Sequence, residues 1–550
     1  MDPFFQTPPQ TGNRFHTDPT LRLALQWRLP DAVFQAASPA LENMGRLAAD
    51  TMPPLAEQAE NNPPRHLPYD AWGRRVDRVE VDESWLELVR LGQRQGLVSL
   101  PHEDPYGVHT RIVQAGLINL YDPVSAVADC PLVMTDGATC LLKEHDPELA
   151  KQYVPRLTAR EQAWTSGQWM TEREGGSDVG RSATIARPGD GGTWHLFGSK
   201  WFTSATTADM ALALARPEGA GGGSRGLSLF LLELRQADGG WNGLTVRRLK
   251  DKLGTRALPT AELDLAGARA VPVGGLGDGV RKLTGLLGVA RYWAAIGGLA
   301  GVGHLLALAR DYAGKREVFG RCLADHPIHR EWFARIASVY DAMVVLNLET
   351  AWQLGRAEHG EDGTLARLFT SLGKLACARQ GVWAASELLE SFGGAGYVED
   401  TGIPRLFRNL HVNCIWEGTS SVLAHDVLRA LRKPETGEAY IEEVVRRLGA
   451  LRHPASESMR EGIEEALESL VPMINTPREE QARRLAWGMA RTFQALLLTE
   501  FAEWRLNYYD DGTGVTVARL FAAEGLVEAG CDESAAALQA VAFTGQALPR

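Results

Sequence analysis

Residues Leu410–Ser421 read LHVNCIWEGTSS and place one acid, Glu417, between the bulky Trp416 and the small residues Gly418 and Thr419. An acid held against an apolar side chain loses hydration, which raises its pKa and makes it a stronger base. A glycine allows the backbone to come close to a ligand, and a threonine hydroxyl can donate a hydrogen bond to it. Because most Glu-Gly pairs are plain turns, this segment indicates a functional site only if the rest of the chain supports one.

Length and composition indicate an ordinary globular protein. A chain of 550 residues is expected to form about two to four packed units. The net charge of −11 gives no general attraction to nucleic acid or to anionic membranes. Six scattered cysteines form no C-x-x-C pair and none lies near a histidine at metal-ligand spacing, so we expect reduced thiols and no metal site. The N-terminus lacks a secretory pattern, and no stretch approaches ~18 uninterrupted apolar residues. The expectation is a cytoplasmic protein without a membrane span.

The pattern of residues along the chain predicts a mainly α protein with a central β domain. Helical periodicity dominates the first part, short β-prone segments between Gly, Pro and Asp clusters follow, and long Leu/Ala/Gly-rich helices come next. The β segments predict a small barrel or a sandwich, and the long helices predict a bundle. The predicted units are an N-terminal helical domain (1–165), a β domain (166–275), a C-terminal four-helix-bundle domain (276–433) and an additional helical domain (434–550). The Pro- and Arg-rich segment 61–77 is predicted to be an irregular connection.

The additional domain has a distinct charge. Residues 434–550 contain 11 arginines, no lysine and 19 acidic residues, which gives this unit a net charge of −8. Such a surface does not favour contact with phosphates.

A polar, glycine-containing loop is predicted where helix gives way to strand. Residues Met170–Gly180 read MTEREGGSDVG and offer free backbone N–H groups that can hold the carbonyls or phosphates of a planar cofactor. A tight polar turn is the alternative. The G-x-G-x-x-G spacing is absent and the segment does not lead a strand into a helix, which excludes a Rossmann dinucleotide fingerprint.

The next motif, KWFTS at 200–204, offers Trp201 for stacking on an aromatic ring and Thr203 for a hydrogen bond to it. An aromatic residue in a strand core is the alternative. KREVFG at 315–320 ends a long helix, where Arg316 can pair with a pyrophosphate and Phe319 can stack on an adenine. A solvated charged face with a helix-ending glycine is the alternative there.

SFGGAGY at 391–397 ends the following helix with a glycine pair, Gly393 and Gly394. The pair allows either close backbone approach to a ligand or a C-cap turn.

Taken together and in this order, MTEREGGSD, KWFTS, R-x-x-F-G, FGGAGY and IWEGTSS resemble the acyl-CoA dehydrogenase family over roughly residues 150–433. The helical–β–helical layout agrees with that resemblance. NPPRHLPYDAWGRRVD at 62–77, LKDKLGTR at 249–256 and VNCIWEG are similar to the AidB branch, adaptive-response flavoproteins with an extra C-terminal helical domain.

The resemblance implies a non-covalent FAD, an acyl-CoA substrate and a homotetramer in which neighbours complete each other's flavin sites. It implies that Glu417 removes the α-proton of an acyl-CoA thioester while the β-hydride goes to flavin N5. Arg316 and Phe319 match the pair that reaches the FAD of an adjacent subunit. The implied cofactor-binding residues are Met170, Thr171, Ser177, Trp201, Thr203, Arg316, Phe319, Gly393, Gly394, Thr419 and Ser421. The implied substrate-binding residues are Ser177, Arg291, Trp416 and Gly418.

Some positions depart from the family pattern. Ala290 stands where some branches carry the base, which leaves Glu417 without a rival. Glu390 replaces a Gln before the glycine pair, where its charge is unfavourable near a pyrophosphate unless it turns away or is paired. Trp169, Trp293 and Trp416 can crowd the acyl pocket, which argues against long-chain substrates.

Two other functions stay open at this stage. One is an AidB-type flavoprotein of the DNA-alkylation response that binds nucleic acid, which the charge disfavours but a basic channel formed on assembly would permit. The other is a protein that binds acyl-CoA without oxidising it. The sequence leaves the acyl chain length, the electron acceptor and the role of residues 434–550 open.

Overall fold

The computed structural model describes residues 6–529, 538–539 and 541–542. The N-terminal part is helical, with one β-hairpin. Its elements are α1 (Arg14–Thr17), α2 (Pro19–Arg28), α3 (Asp31–Arg46), α4 (Met52–Asn61), β1 (Arg65–Tyr69), β2 (Arg75–Glu80), α5 (Glu83–Arg94), α6 (Leu100–Glu103), α7 (Thr110–Tyr121), α8 (Asp129–His145) and α9 (Pro147–Leu157). Asp18, Asp82 and Asp146 each start a helix by accepting a backbone N–H in its first turn.

The hairpin corrects the expectation of an irregular connection at 61–77. Arg65 pairs with Glu80 and Tyr69 with Arg75. Asp77 fastens the two strands, because its Oδ1 lies 2.9 Å from His66 Nε2. Prolines in and before the first strand conceal the alternation in the sequence, yet both strands of an isolated hairpin are edges, where proline is tolerated.

The central domain is a closed β structure. Its strands are β3 (Ser166–Trp169), β4 (Ile185–Pro188), β5 (Trp194–Ser204), β6 (Met210–Pro217), β7 (Ser228–Glu233), β8 (Leu244–Leu249) and β9 (Thr260–Pro272). They follow the order β3-β6-β4-β5-β9-β7, β8 pairs with β9, and β7 also pairs with β6. This last pairing closes the sheet, so of the two predicted architectures the barrel is the one observed.

Long helices return after the barrel. The elements are α10 (Gly279–Lys315), β10 (Glu317–Val318), β11 (Arg321–Cys322), α11 (Pro327–Glu358), α12 (Thr364–Ser391), α13 (Ile403–Leu410) and α14 (Ser420–Leu431). A Cβ on Gly298 of α10 would lie 2.8 Å from the carbonyl oxygen of Cys377 on α12, so these two helices touch backbone to backbone. Among the described helices, α10 has the length and hydropathy of a membrane span, but 83% of its most apolar window is buried in the protein.

The last described helices are α15 (Pro434–Leu448), α16 (Glu457–Asn475), α17 (Ala482–Tyr509) and α18 (Thr513–Ala523). Helix α17 packs on the bundle, where the ring of Phe493 lies 4.5 Å from that of Phe369, edge to face. Arg447 Nη2 lies 2.8 Å from Glu349 Oε2, and both side chains are buried. The tail helices therefore share one continuous core with the bundle. Cys531 and most of the last 21 residues of the predicted additional domain lie outside the described residues.

Candidate active site

Glu417 lies in a strained turn. It stands between a short 3-10 turn, His411–Cys414, and α14, with φ +55° for Glu417 and +104° for Gly418. A left-handed φ is ordinary for glycine, but it costs an L-residue about 1–2 kcal/mol, so surrounding contacts must hold the acid in place. Thr419 then begins α14 by accepting a hydrogen bond from the N–H of Val422.

Two cations hold the backbone of this turn. Lys374, on α12, donates a hydrogen bond from Nζ to the carbonyl oxygen of Gly418. Arg291, on α10, places Nε 3.4 Å from the carbonyl oxygen of Glu417 and Nη1 2.5 Å from Asp426 Oδ2. The base is therefore fixed from two neighbouring helices.

The surroundings of the carboxylate change its proton affinity. Burial raises the pKa of Glu417, while the charges of Lys374 and Arg291 and a hydrogen bond with Gln168 on β3 oppose that rise without cancelling it. A carboxylate with a raised pKa is a stronger proton acceptor than an exposed one. The N–H of Glu417 has no hydrogen-bond partner among the described residues, so it is free to donate to a ligand.

The two β-domain motifs meet beside this turn. The N–H of Trp201 donates to the carbonyl oxygen of Thr171 at 3.0 Å. A buried ion pair of 2.6 Å between Lys200 and Glu172 fastens the same two segments. The loop and the strand that the sequence marks as cofactor-binding are thus joined into one surface, and Gln168, just before the loop, is near enough to Glu417 to lower its pKa.

Trp201 is half-buried and Thr203 is fully buried. The Trp201 ring has Lys250 Nζ 3.5 Å from its centroid and the Arg173 guanidinium 5.5 Å away. The hydroxyl of Thr203 donates to the carbonyl oxygen of Ala261 at 2.8 Å, which leaves its oxygen as an acceptor.

Other predicted cofactor residues differ in exposure. Met170 is buried, while Ser177 on the same loop and Ser421 on α14 are exposed. Phe319, after α10, is 98% exposed with φ +51°. The structure does not bring Phe319 into contact with the Glu417 turn of the same chain.

The remaining motif positions lie near chain turns. Arg316 is the C-cap of α10. A Cβ at Gly393 or Gly394 would meet no atom within 4 Å, so both glycines border open space. Glu390 is exposed, and its predicted conflict with a pyrophosphate stays a prediction.

The three tryptophans that the sequence analysis names differ in their surroundings. Trp169 and Trp293 are buried, and Trp293 Nε1 donates to Asp136 at 2.9 Å. Trp416 is half-buried and lines a cavity of about 50 Å³ together with Asp122. The lining of that cavity also includes the charged side chains of Glu60 and Arg405, and the predicted limit on acyl chain length stays a prediction.

Two residues of the site were missed in the sequence. Gln168 lies two positions before Met170 of the loop motif. Side chains alternate between the two faces of a strand, so Gln168 and Met170 are expected on the same face, and this alternation is the signal that could have found Gln168. Lys374 stands alone in the apolar run LGKLA, and an isolated lysine in a buried helix indicates a specific partner.

The site's surroundings fit a large polar cofactor. Gln168 Oε1 is buried without a hydrogen-bond partner among the described residues. The open space at Gly393 and the exposed hydroxyl of Ser177 add features that suit the polar groups and phosphates of a flavin dinucleotide.

Comparison with known proteins agrees with this arrangement. Residues 167–268 match the acyl-CoA dehydrogenase middle domain and 277–432 the acyl-CoA dehydrogenase C-terminal domain. Acyl-CoA dehydrogenase family member 11 of Caenorhabditis elegans is 38% identical over 528 residues, covering 91% of this chain and 86% of the relative. The chain belongs to the acyl-CoA dehydrogenase family, whose members use FAD.

Within the family the chain has the features of the AidB branch. Residues 6–162 match the adaptive response protein AidB N-terminal domain. The AidB protein of Escherichia coli is 33% identical, with 74% of this chain and 79% of the relative covered.

Solved structures agree with the fold. The C. elegans protein ACDH-11 in complex with C11-CoA superposes with a TM-score of 0.95 at 35% identity, covering 99% of this chain and 97% of that one. The acyl-CoA dehydrogenase of Bacillus anthracis complexed with FAD, at 17% identity and a TM-score of 0.71, shares the fold.

Proposed function

We propose that this protein is an FAD-dependent acyl-CoA dehydrogenase that forms a 2-enoyl-CoA from a saturated acyl-CoA. One observation carries the proposal: a half-buried carboxylate with a raised pKa, Glu417, stands on a turn held by two cations and beside the joined β-domain motifs. The solved complex of a relative with C11-CoA supports an acyl-CoA thioester as the substrate.

Residues of the β domain would hold the cofactor. Thr171 and Ser177 would hold the polar groups of FAD from the loop, Trp201 and Thr203 would meet its ring from the strand, and Gln168 would donate or accept at the ring edge. Bound FAD supplies the acceptor for the β-hydrogen and its electron pair.

The chemistry assigned to the chain's own groups is proton removal and charge stabilisation. The carboxylate of Glu417 takes the α-proton of the thioester, and the electron pair of that C–H bond becomes the new carbon–carbon double bond as the β-hydrogen leaves. The free N–H of Glu417 can donate to the thioester oxygen, where negative charge develops. The rigid turn keeps the base within reach of the substrate, so no reorganisation is needed at the moment of reaction.

The test is anaerobic mixing of the purified flavoprotein with acyl-CoAs of increasing length while the flavin absorbance is followed. Bleaching with at least one chain length, lost in Glu417→Gln with flavin content unchanged, is the expected result. Absence of bleaching with every acyl-CoA, together with retention of acyl-CoA on a gel-filtration column, would instead identify a binding protein that does not oxidise its ligand.

We also propose a homotetramer. The support is a set of apolar side chains that project far into solvent after α10, at the start of α11 and in the glycine-pair motif: Phe319 98%, Ile328 81% and Tyr397 87% exposed. Large exposed apolar side chains indicate a surface that meets another chain. The expected mass by light scattering is four times that of the chain, with dissociation or flavin loss in Phe319→Ala. A monomer that keeps its FAD would rule out this assembly.

A role in fatty acid metabolism in the cytoplasm accords with the proposed substrate and with the free state of all five described cysteines. The AidB-type match leaves nucleic-acid binding as the second candidate. A salt-dependent gel shift with duplex DNA at moderate ionic strength would support that candidate, and no shift would exclude it.

A further inference from the structure

Lys374 is among the most deeply buried cations of the described chain. Its residue exposure is 0%, and it lies in α12 between Gly373 and Leu375, within the apolar core of the bundle. A buried ammonium is costly unless hydrogen bonds and an opposite charge compensate it. The compensation here comes from the base turn, because Nζ donates to the carbonyl oxygen of Gly418 and interacts with the charge of Glu417.

The geometry of this bond depends on the unusual backbone of the turn. Glu417 at φ +55° and Gly418 at φ +104° form two consecutive left-handed residues, and the Gly418 carbonyl meets Lys374 in this conformation. If the turn relaxed to right-handed values, the peptide groups would rotate and the Gly418 carbonyl would turn away from Nζ. The lysine therefore selects the conformation that presents the carboxylate.

We propose that Lys374 is a positioning residue for the base: its ammonium holds the left-handed Glu417–Gly418 turn through the Gly418 carbonyl and sets a positive charge near the Glu417 carboxylate. The inference rests on the proposed dehydrogenase function for the identity of the base, but the contacts that carry it belong to the folded chain.

Among the described residues, the titratable groups that act on Lys374 are Glu417, Cys414 and Arg291. Glu417 interacts with Lys374 and Arg291, with Gln168 hydrogen-bonded to it, and its charge also reaches Cys130 on α8. Arg291 is itself neutralised by Asp426, which leaves Lys374 as the cation of the pair without a carboxylate partner other than Glu417.

The thiols nearby do not compete with this assignment. Burial raises the pKa of the Cys130 thiol well above its usual range and that of Cys414 above its ordinary value, so both are neutral at physiological pH. Burial also lowers the pKa of Lys374 to about 8, so the ammonium is charged at neutral pH and becomes neutral in mildly alkaline solution.

Three variants separate the hydrogen bond from the charge. Lys374→Arg keeps a cation, Lys374→Gln keeps an N–H donor without charge, and Lys374→Met keeps neither. Lys282→Met is the matched control, because Lys282, in the first turn of α10, is another buried lysine whose Nζ holds backbone carbonyls, those of Val273, Gly274 and Gly275 and not those of the base turn.

The decisive measurement is infrared titration of the base in the purified holoprotein, labelled with ¹³C-glutamate. The Glu417 carboxyl band is isolated at each pH by subtracting the spectrum of Glu417→Gln in the same background. The expected midpoint rises by about one pH unit in Lys374→Gln and Lys374→Met, stays near the wild-type value in Lys374→Arg, and does not move in Lys282→Met. An unmoved midpoint in both neutral variants, or an equal movement in the control, overturns the proposal.

Flavin reduction by acyl-CoA supplies the second readout. At a pH below the wild-type midpoint, the neutral variants are expected to lose about tenfold in the reduction rate with little change in acyl-CoA affinity, and Lys374→Arg is expected to recover part of the rate. If none of the acyl-CoAs reduces the flavin of the wild-type protein, the proposed reaction is wrong. The infrared midpoints then still decide the role of Lys374.

Discussion

Arg291 Nε lies 3.4 Å from the carbonyl oxygen of Glu417, and the same guanidinium forms a 2.5 Å ion pair with Asp426 and a 3.0 Å hydrogen bond to Ser371 Oγ. All of these contacts lie behind the turn, on the backbone side of the base. The arrangement anchors Glu417, and the expected role of Arg291 in binding substrate stays a prediction.

Removing Arg291 is expected to damage both stability and the base. Arg291→Met leaves Asp426 as a half-buried carboxylate without its main cation, which costs about 3 kcal/mol or more in unfolding free energy. The double variant with Asp426→Asn is expected to recover most of that stability in denaturant unfolding but not the rate of flavin reduction. Equal recovery of both would mean that Arg291 acts only through folding.

Glu417→Gln is expected to lower flavin reduction by about 10²–10⁴-fold, the usual contribution of a positioned general base. The amide keeps the size of the side chain, so FAD content and the melting temperature without substrate should remain close to wild type at acidic pH. Stopped-flow anaerobic reduction with the best acyl-CoA is the measurement. A rate within threefold of wild type would mean that a residue other than Glu417 removes the proton.

The difference in stability between Glu417→Gln and the wild type is expected to depend on pH. The pKa of Glu417 is raised in the folded protein, so the folded state binds its proton more tightly than the unfolded chain does. The stabilising contribution of Glu417 is therefore fully present below the ordinary glutamate pKa of about 4.5. This contribution is lost as the pH rises through the pKa of Glu417 in the folded protein. Glu417→Gln is expected to melt at a higher temperature than wild type at pH 8 and at the same temperature near pH 4. A constant difference across that range would contradict the sign.

How far the sequence predicts this site depends on the kind of signal. The acid of IWEGTSS, the joined motifs at Thr171 and Trp201 and the order of helical and β units are visible because residue types and spacing carry them. The left-handed φ of Glu417 is invisible, since nothing in a Glu-Gly pair distinguishes it from a common turn until tertiary contacts hold it there. The partners Lys374 and Gln168 lie 43 and 249 residues before Glu417, and only the packing of α12 and β3 brings them to it.

Gly418→Ala tests the turn itself. The new methyl would lie 3.1 Å from Val422 Cγ1, and φ +104° is strained for any L-residue. We expect a loss of about 1–2 kcal/mol in unfolding free energy and at least a tenfold lower rate of flavin reduction. Gly314→Ala in α10 is the control, because no atom lies within 4 Å of the new methyl and its φ is not left-handed, so stability should stay equal or rise. Equal effects of the two substitutions would remove the argument for a required left-handed turn.

Trp416 should limit the length of the acyl chain. Its side chain is half-buried, is held by a 3.0 Å hydrogen bond from Nε1 to Asn413 Oδ1, and borders a cavity of about 50 Å³. Trp416→Ala frees the volume of the indole next to Glu417 in the chain, and each added methylene that finds an apolar site there contributes about 0.8 kcal/mol. The ratio of kcat/KM for long over short acyl-CoAs is therefore expected to rise at least tenfold, mainly through KM. Trp293→Phe serves as the comparison, because it removes the hydrogen bond to Asp136 and part of the indole volume at a position that does not line this cavity, while it keeps an aromatic ring. If the chain-length preference stays unchanged in Trp416→Ala while the protein remains folded and flavin-loaded, the acyl chain takes a path that does not pass this tryptophan.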